Sequence, residues 1–226
     1  MNTPENKETG KVFQKNRIET LTDGVFAIAM TLLVTGLNIP ELNGSIISGS
    51  VDSILIKLFP DFIHYIIAFV LLAGFWWSNH LRSQHIHSMD RTMSFLTITT
   101  LLFVGLIPFS TNLAGDVPLN PHETIIFEIN LLVIGLLSVF QWNHLANDTT
   151  CLNPNTDRKA LLQNRDEALI FPVLSSIAIL LAVIFIPWGI IIYLAAPLYF
   201  VLAWLKETKS HEIKKKKRFT KQVNFF

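Results

Sequence analysis

Long runs without a charged residue are the feature that most limits what this chain can fold into. Residues 62–81, 92–115 and 129–147 contain no Asp, Glu, Lys or Arg, and the run 168–205 is longer still. A helix needs about 20 apolar residues to cross the roughly 30 Å hydrocarbon core of a bilayer. Of the 226 residues, 50% are hydrophobic and 15% are charged. The chain is therefore expected to be an integral membrane protein rather than a soluble domain.

The run 168–205 is too long for one span. As a single helix at about 1.5 Å per residue it would measure about 57 Å, nearly twice the hydrocarbon thickness. Pro187-Trp188-Gly189 lies near its middle and favours a turn there. A further apolar segment follows Arg17. The sequence thus predicts an all-α integral membrane fold, with one membrane domain over residues 16–206 that contains six transmembrane helices at about 16–38, 54–81, 92–114, 123–146, 166–186 and 188–206.

Basic residues predict the orientation of these spans. They precede the first span, flank the second and fourth loops, and form the run Lys214–Arg218 after the sixth, whereas the other loops are mainly acidic. By the positive-inside rule both termini are cytoplasmic, which requires an even number of spans. Residues 1–15 lack an apolar core and are expected to form an unstructured arm rather than a cleaved leader. Residues 207–226 form a basic tail, which either serves as a topogenic signal or contacts anionic lipid.

The first apolar segment, Arg17–Leu37, carries an acidic residue inside a predicted span. Asn16 with Glu19 three residues later is typical of a capping box, which predicts a helix start at Asn16. Asp23 would then lie near the edge of the hydrocarbon, where an ionisable group is costly unless it faces protein or water. Asp23 is therefore a functional candidate. The alternative is that Thr22-Asp23-Gly24 caps a shorter helix.

One stripe of this segment combines apolar and hydroxyl side chains. Ile28, Thr31, Leu32 and Thr35 recur at positions i, i+3, i+4 and i+7 and share one helix face. Such a face fits a narrow, mostly apolar pore wall that gates by dewetting. It also fits ordinary helix packing, because threonine is common between membrane helices.

Three motifs resemble a known family. Arg17-x-x-x-Leu21-Thr22-Asp23 followed by GVFAIAMTLLV resembles the R-x-x-x-F-S-D signature of the transmembrane-protein-175 family of potassium channels, with Leu and Thr replacing Phe and Ser. Trp77-x-x-His80 resembles the family's W-x-x-H element. The segment Ile107–Thr111, IPFST, resembles its L-P-F-P-T, where Pro108 would free a backbone carbonyl that Ser110 or Thr111 satisfies.

The resemblance implies a potassium-permeable cation channel of the prokaryotic six-span type in the cell membrane. It implies a homotetramer in which the first helix of each subunit lines the pore, with membrane lipid and monovalent cations as the other partners and no cofactor besides permeant K⁺. Ile28 and Leu32 would form the hydrophobic constriction, with Thr31 available to an ion. Thr35 stands where relatives usually carry an apolar residue, which predicts a wetter passage. A polar network between helices would contain Arg17, Thr22, Asp23, Trp77 and His80.

Other functions fit less well. The sequence has no G-x-S-x-G or H-E-x-x-H motif, and Glu128 and His144 lie too far apart for one catalytic site, so an enzyme is not expected. No metal site is expected, because the single cysteine excludes a Cys-rich site and His80, His85 and His87 do not share a helix face. Nucleic-acid binding and voltage gating have no support. A secondary ion-coupled transporter and a proton-permeable channel remain open alternatives.

Overall fold

The computed structural model describes residues 5–37, 51–116, 121–148, 151–154 and 156–184. Helices account for nearly all of these residues, and a single isolated antiparallel bridge within them joins Ile86 to Leu152. The helices are α1 (Glu5–Leu32, followed by a 3₁₀ turn Leu33–Gly36), α2 (Val51–His85), α3 (Arg91–Asp116), α4 (Pro121–Asn147), α5 (Arg158–Ala168) and α6 (Ile170–Ile184).

Five segments of the described chain are long and apolar enough to cross a membrane. They are Lys15–Gly36, Asp61–His85, Arg91–Leu113, Ile125–Asn147 and Arg158–Ile184. The prediction of an all-α membrane protein is therefore confirmed. The sixth predicted span, residues 188–206, and the basic tail, residues 207–226, lie outside the described residues.

The first helix begins earlier than the capping motif predicts. Helix α1 starts at Glu5, so Asn16 lies inside it, and the Asn16 carbonyl accepts a hydrogen bond from Thr20 Oγ1 at 2.9 Å. The predicted helix start at Asn16 is wrong, as is the shorter helix capped by Thr22-Asp23-Gly24. Residues 5–15, expected to be unstructured, are helical because Glu, Lys and Gln are good helix formers. The pair Lys15–Glu19, at 3.5 Å, adds i,i+4 support.

The predicted fifth span, residues 166–186, is preceded by a separate polar helix. Asp157 caps the start of α5, because its Oδ1 accepts a hydrogen bond from the Lys159 backbone N–H at 2.9 Å. Helix α5 ends at Ala168 and α6 begins at Ile170. Pro172 explains this interruption, since a proline ring clashes with the carbonyl four residues earlier, here that of Ala168.

Helix α4 lies at the centre of the bundle and α1 at its periphery. Helix α4 packs against α3, α5 and α6, and 50% of its apolar window is buried, compared with 22% of the window of α1. We call the end of the bundle that contains Lys15, Ile86, Asp90 and Asn147 the inner end. There the Lys15 ammonium donates a hydrogen bond to the Ile86 carbonyl at 2.7 Å, which ties α1 to the α2–α3 connection.

Pro108 lies inside α3, but the nearby hydroxyls do not act as expected. A proline at position 108 frees the carbonyl of Val104. Ser110 Oγ and Thr111 Oγ1 donate instead to the Ile107 carbonyl, at 3.1 and 2.8 Å. The side-chain amide of Asn130 on α4 donates to Phe103 O at 3.2 Å and Ser110 Oγ at 3.3 Å. The proline segment of α3 is therefore bonded to α4 by one buried amide.

Gly135 marks a close approach of α4 to α6. A Cβ at this position would lie 3.0 Å from Pro172 Cδ and 3.1 Å from the Pro172 backbone nitrogen. Because a backbone atom cannot rotate away, Gly135→Ala is expected to push the helices apart and to lower the free energy of unfolding by about 1–3 kcal/mol. Thermal unfolding of the purified protein in detergent measures the change.

Gly105→Ala on α3 is the matched control for that substitution. A Cβ at Gly105 has no neighbour within 4 Å. Alanine is about 1 kcal/mol more favourable than glycine inside a helix, so Gly105→Ala is expected to leave stability unchanged or to raise it. Equal destabilisation by both substitutions would contradict the tight α4–α6 contact.

Candidate pore helix and its inner anchor

One face of α1 packs against its own chain. Four residues of this face, the last of them in the 3₁₀ turn that follows α1, are each only 2% exposed, and the three apolar ones join the main hydrophobic core with α2, α3 and α4. Their spacings of four, three and four residues follow one side of a helix. The buried face consists of Thr22, Phe26, Ala29 and Leu33.

The opposite face of α1 is uncovered by the described part of the chain. Ile28 is 61% exposed and Leu32 is 45% exposed, and Thr31 and Thr35 are exposed as well. These are the four residues that the helical spacing groups into one stripe. Other helices also expose large apolar side chains, as expected of surfaces that face lipid. The exposure of the stripe therefore fits two surroundings, lipid or a neighbouring subunit.

Both threonines of the stripe bond to their own helix. Thr31 Oγ1 donates to the Ile28 carbonyl at 2.8 Å, and Thr35 Oγ1 donates to the Leu32 carbonyl at 2.7 Å. A hydroxyl has one hydrogen to donate and two lone pairs that accept. The stripe therefore carries two hydroxyl oxygens whose hydrogens are already donated to carbonyls of the same segment.

Asp23 is tied to α2 by a tryptophan. Trp76 Nε1 donates a hydrogen bond to Asp23 Oδ1 at 2.9 Å. The Trp76 ring stacks on the His80 ring, with centroids 5.7 Å apart and planes inclined by 22°, and the Trp77 ring lies 5.9 Å from His80. Asp23, Trp76, Trp77 and His80 thus form a cluster that we call the inner anchor.

The inner anchor differs in membership from the predicted network. Trp76 rather than Trp77 contacts Asp23. Both tryptophans lie at the end of a span, and the sequence does not indicate which of them faces α1. Thr22 lies on the buried face of α1, and its hydroxyl donates to the Ile18 carbonyl at 2.8 Å. Arg17 is exposed on α1, six residues before Asp23. The structure therefore brings Asp23 together with His80 and Trp77 through Trp76, and places Thr22 on another side of the helix.

Arg82 is a buried cation that sequence reasoning missed. Its side chain, expected to flank a loop, is only 4% exposed. It donates to Asn79 Oδ1 at 2.5 Å and to Ser138 Oγ at 3.3 Å, and its guanidinium lies 5.9 Å from the centre of the Trp142 ring. A small cavity beside it is lined by Thr22, Phe26, Asn79, Thr97 and Ser138. Basic residues at span ends are normally topogenic, so the sequence holds no signal for this burial.

The outer end of α1 is held by a close contact with α3. A Cβ on Gly36 would overlap the side-chain amide of Asn112, so a larger residue at this position would require that amide to move. Leu33, Tyr65 and Thr111 line a small cavity at the same place. Together with the inner anchor, this contact places α1 against the bundle at both ends.

Comparison with known proteins identifies relatives of the chain. Residues 17–108 match the profile of a family described as "Endosomal/lysosomal potassium channel TMEM175". A potassium channel of Streptomyces collinus is 25% identical over 156 residues, which cover 67% of this chain and 74% of that protein. A potassium channel of Chamaesiphon minutus is 28% identical over 158 residues, 69% of this chain and 74% of that protein.

Vertebrate relatives and solved structures complete the comparison. The human endosomal/lysosomal proton channel TMEM175 is 30% identical over 144 residues, which cover 61% of this chain and 28% of the human protein. The crystal structure of a lysosomal potassium-selective channel TMEM175 homolog from Chamaesiphon minutus superposes with a TM-score of 0.74 at 24% identity, over 84% of this chain and 97% of the other. This likeness shows a common fold. Residues 17–108, which include the motifs of the first three spans, are thus similar to the TMEM175 family of channels.

Proposed function

We propose that this protein is a potassium-permeable cation channel that conducts passively, assembled as a homotetramer around α1. One observation carries the proposal: α1 buries one face in its own chain and leaves the opposite face, with its apolar and hydroxyl side chains, uncovered by the described residues. One helix cannot enclose a conduit, so several copies around a symmetry axis are required. The bacterial relatives that cover most of the chain are named potassium channels, which supports the same function.

The proposed conduction path runs along the exposed stripe of α1. Rings of Ile28 and Leu32 would form a hydrophobic constriction that closes by dewetting. Thr31 lies between them in sequence and offers a hydroxyl oxygen to an ion. Thr35 adds a second polar ring near the outer end, so the outer part of the path would be more hydrated than the inner part.

The inner anchor is proposed to fix the rotation of α1 about its own axis. Rotation matters because the stripe occupies only one side of the helix. The hydrogen bond from Trp76 to Asp23 ties one edge of α1 to α2, and Trp77 and His80 brace Trp76 by ring contacts. Arg17 and Thr22 belong to the same motif, and we propose that both support the position of α1 in the polar network between helices, Thr22 by packing within the subunit.

The proposed topology has six spans with both termini in the cytoplasm of a prokaryotic cell. Five spans lie within the described residues, and the sixth is proposed from the apolar run over residues 188–206. The inner end of the bundle carries Lys15, Arg91 and Arg158, as the positive-inside rule expects of a cytoplasmic face. The protein would reside in the plasma membrane in contact with lipid and permeant cations.

Reconstitution in liposomes tests the function. With K⁺ and Na⁺ on opposite sides, the reversal potential is expected to shift toward the K⁺ equilibrium potential, and unitary currents are expected because a channel conducts without a carrier cycle. Slow, saturable flux without unitary currents would contradict the channel and indicate a secondary transporter. Empty liposomes prepared in parallel are the control.

A proton-permeable channel is the second candidate. The vertebrate relatives are named endosomal/lysosomal proton channels, which is the observation that favours it. A pH gradient imposed at symmetrical K⁺ distinguishes the two. For the potassium channel, the reversal potential is expected to stay near zero under this gradient. A reversal potential that follows the pH gradient would show that protons are the main charge carriers.

A further inference from the structure

The geometry points to a transition-metal site of the Zn²⁺ class at the inner end of the bundle, formed by Asp90, His144, Asp148 and Cys151. One potential ligand atom from each of these residues lies within 4.8 Å of all the others. Two carboxylates, an imidazole and a thiol are the oxygen, nitrogen and sulfur ligands that Zn²⁺ binds in tetrahedral sites. The site is separate from the stripe on α1 and from the inner anchor.

The ligands come from three elements that the fold holds in place. His144 lies in the last turn of α4 and Asp148 directly follows the helix, where the Asp148 N–H donates to the His144 carbonyl at 2.9 Å and continues the helical bond pattern. This i,i+4 spacing places both side chains on one helix face. Asp90 immediately precedes α3, where its Oδ1 accepts the Met93 N–H at 2.8 Å and its Oδ2 lies 2.8 Å from His144 Nε2.

Cys151 is positioned by the α2–α3 connection. Its carbonyl accepts the His87 N–H at 2.8 Å, and the Asn153 N–H donates to the His85 carbonyl at 2.8 Å. The bridge between Ile86 and Leu152 lies between these two bonds. Cys151 is 1% exposed in a cluster with Met93, Trp142 and Leu145, whereas Asp90 and His144 are 32% and 23% exposed. The site therefore has a dry sulfur side and an open side through which an ion can enter.

Ligand distances are compatible with a tetrahedral ion. With bonds of about 2.0 to 2.3 Å, ligand atoms in such a site lie about 3.3 to 3.8 Å apart. The four potential ligand atoms lie within 4.8 Å of one another, so side-chain rotations that move them by about 1 Å bring them to these distances. Binding would release the thiol proton of Cys151 to solvent and would take the His144 imidazole in its neutral form, since Zn²⁺ binds thiolate and neutral imidazole. A thiolate ligand favours Zn²⁺ over Mg²⁺ or Ca²⁺.

The alternative is a plain hydrogen bond between His144 and Asp90, with Asp90 also capping α3. That arrangement needs neither Asp148 nor Cys151. A metal site and this metal-free contact therefore differ in whether the Cys151 sulfur binds an ion. Co²⁺ is a suitable probe because it occupies zinc sites and gives a thiolate-to-cobalt charge-transfer band only when sulfur is bound.

Metal binding to the purified full-length protein in detergent tests the proposal. After chelator treatment, the protein is expected to bind one Zn²⁺ per chain by calorimetry and to give the thiolate-to-cobalt band with Co²⁺. Cys151→Ser is expected to abolish the band, and both Cys151→Ser and Asp148→Asn are expected to weaken Zn²⁺ binding by at least about 100-fold. Asp148→Asn changes a partly exposed side chain, so it is informative even if Cys151→Ser disturbs folding.

His87→Ala is the matched control. His87 is exposed, and its backbone N–H, which alanine retains, donates the hydrogen bond to the Cys151 carbonyl. This variant is expected to bind Zn²⁺ as the unaltered protein does. Absence of Zn²⁺ binding, a Co²⁺ complex without the thiolate band, or binding that survives both ligand substitutions would overturn the site. Because these measurements need no ion flux, their outcome is independent of the proposed channel function.

Discussion

Replacing Ile28 with Asn is expected to raise the resting K⁺ flux of the reconstituted protein by at least about tenfold, which corresponds to about 1.4 kcal/mol removed from the barrier. The proposed constriction closes because apolar side chains exclude water from a narrow passage. An amide at each Ile28 position would hold water there through its hydrogen bonds. Flux through liposomes, normalised to the amount of reconstituted protein, measures the effect.

Ile98→Asn is the matched control for Ile28→Asn. Ile98 lies on α3 and is 54% exposed, close to the 61% of Ile28, but it belongs to another helix. If α1 lines the path, the same substitution on α3 should leave the resting flux unchanged. Unchanged flux in Ile28→Asn, or an equal rise in both variants, would show that Ile28 does not line the path.

The second prediction concerns the inner anchor. Asp23→Ala removes the acceptor of the Trp76 indole N–H, and Trp76→Phe removes the donor. Each is expected to destabilise the assembled protein by about 1.5–3 kcal/mol, the range for a hydrogen bond to a charged group, because α1 loses its rotational constraint. The proportion of the proposed tetramer, measured by size-exclusion chromatography with light scattering, is expected to fall, while the K⁺/Na⁺ permeability ratio of the remaining channels stays the same.

Trp77→Phe is the control that separates the two tryptophans. Trp77 is adjacent to Trp76 in the sequence and its ring also contacts His80, but the hydrogen bond to Asp23 comes from Trp76. Trp77→Phe is therefore expected to retain the tetramer. In the double variant Asp23→Ala/Trp76→Phe, the two losses should not add, because one bond is removed twice. Normal tetramers with altered ion preference in Asp23→Ala would place Asp23 in the ion path instead.

Hydropathy and spacing predict much of this fold because they are local properties of the chain. Five apolar segments in the described residues are long enough to cross a membrane, and hydropathy alone indicates them. The i, i+3, i+4, i+7 spacing groups Ile28, Thr31, Leu32 and Thr35, and all four are exposed on α1 and the 3₁₀ turn that follows it. Neither result requires knowledge of how helices pack.

What the sequence does not predict depends on packing. The choice of Trp76 over Trp77 as the partner of Asp23 is set by the rotation of α2 relative to α1, and both residues suit a span end equally. Arg82 resembles a topogenic cation, yet it is buried because Asn79 and Ser138 supply oxygen acceptors from two helices. Cys151 and Asp90 are far apart in the chain and become neighbours through the Ile86–Leu152 bridge.

The hydrogen-bond direction at Thr31 and Thr35 has a consequence for the sign of the charge that the proposed channel admits. Each hydroxyl hydrogen is committed to a carbonyl of the same helix, so each oxygen turns its lone pairs outward. A cation that sheds water at these rings meets electron-rich ligands, whereas chloride meets no donor hydrogen from either threonine. Rejection of anions would then require no fixed negative residue along the passage, only two intrahelical bonds.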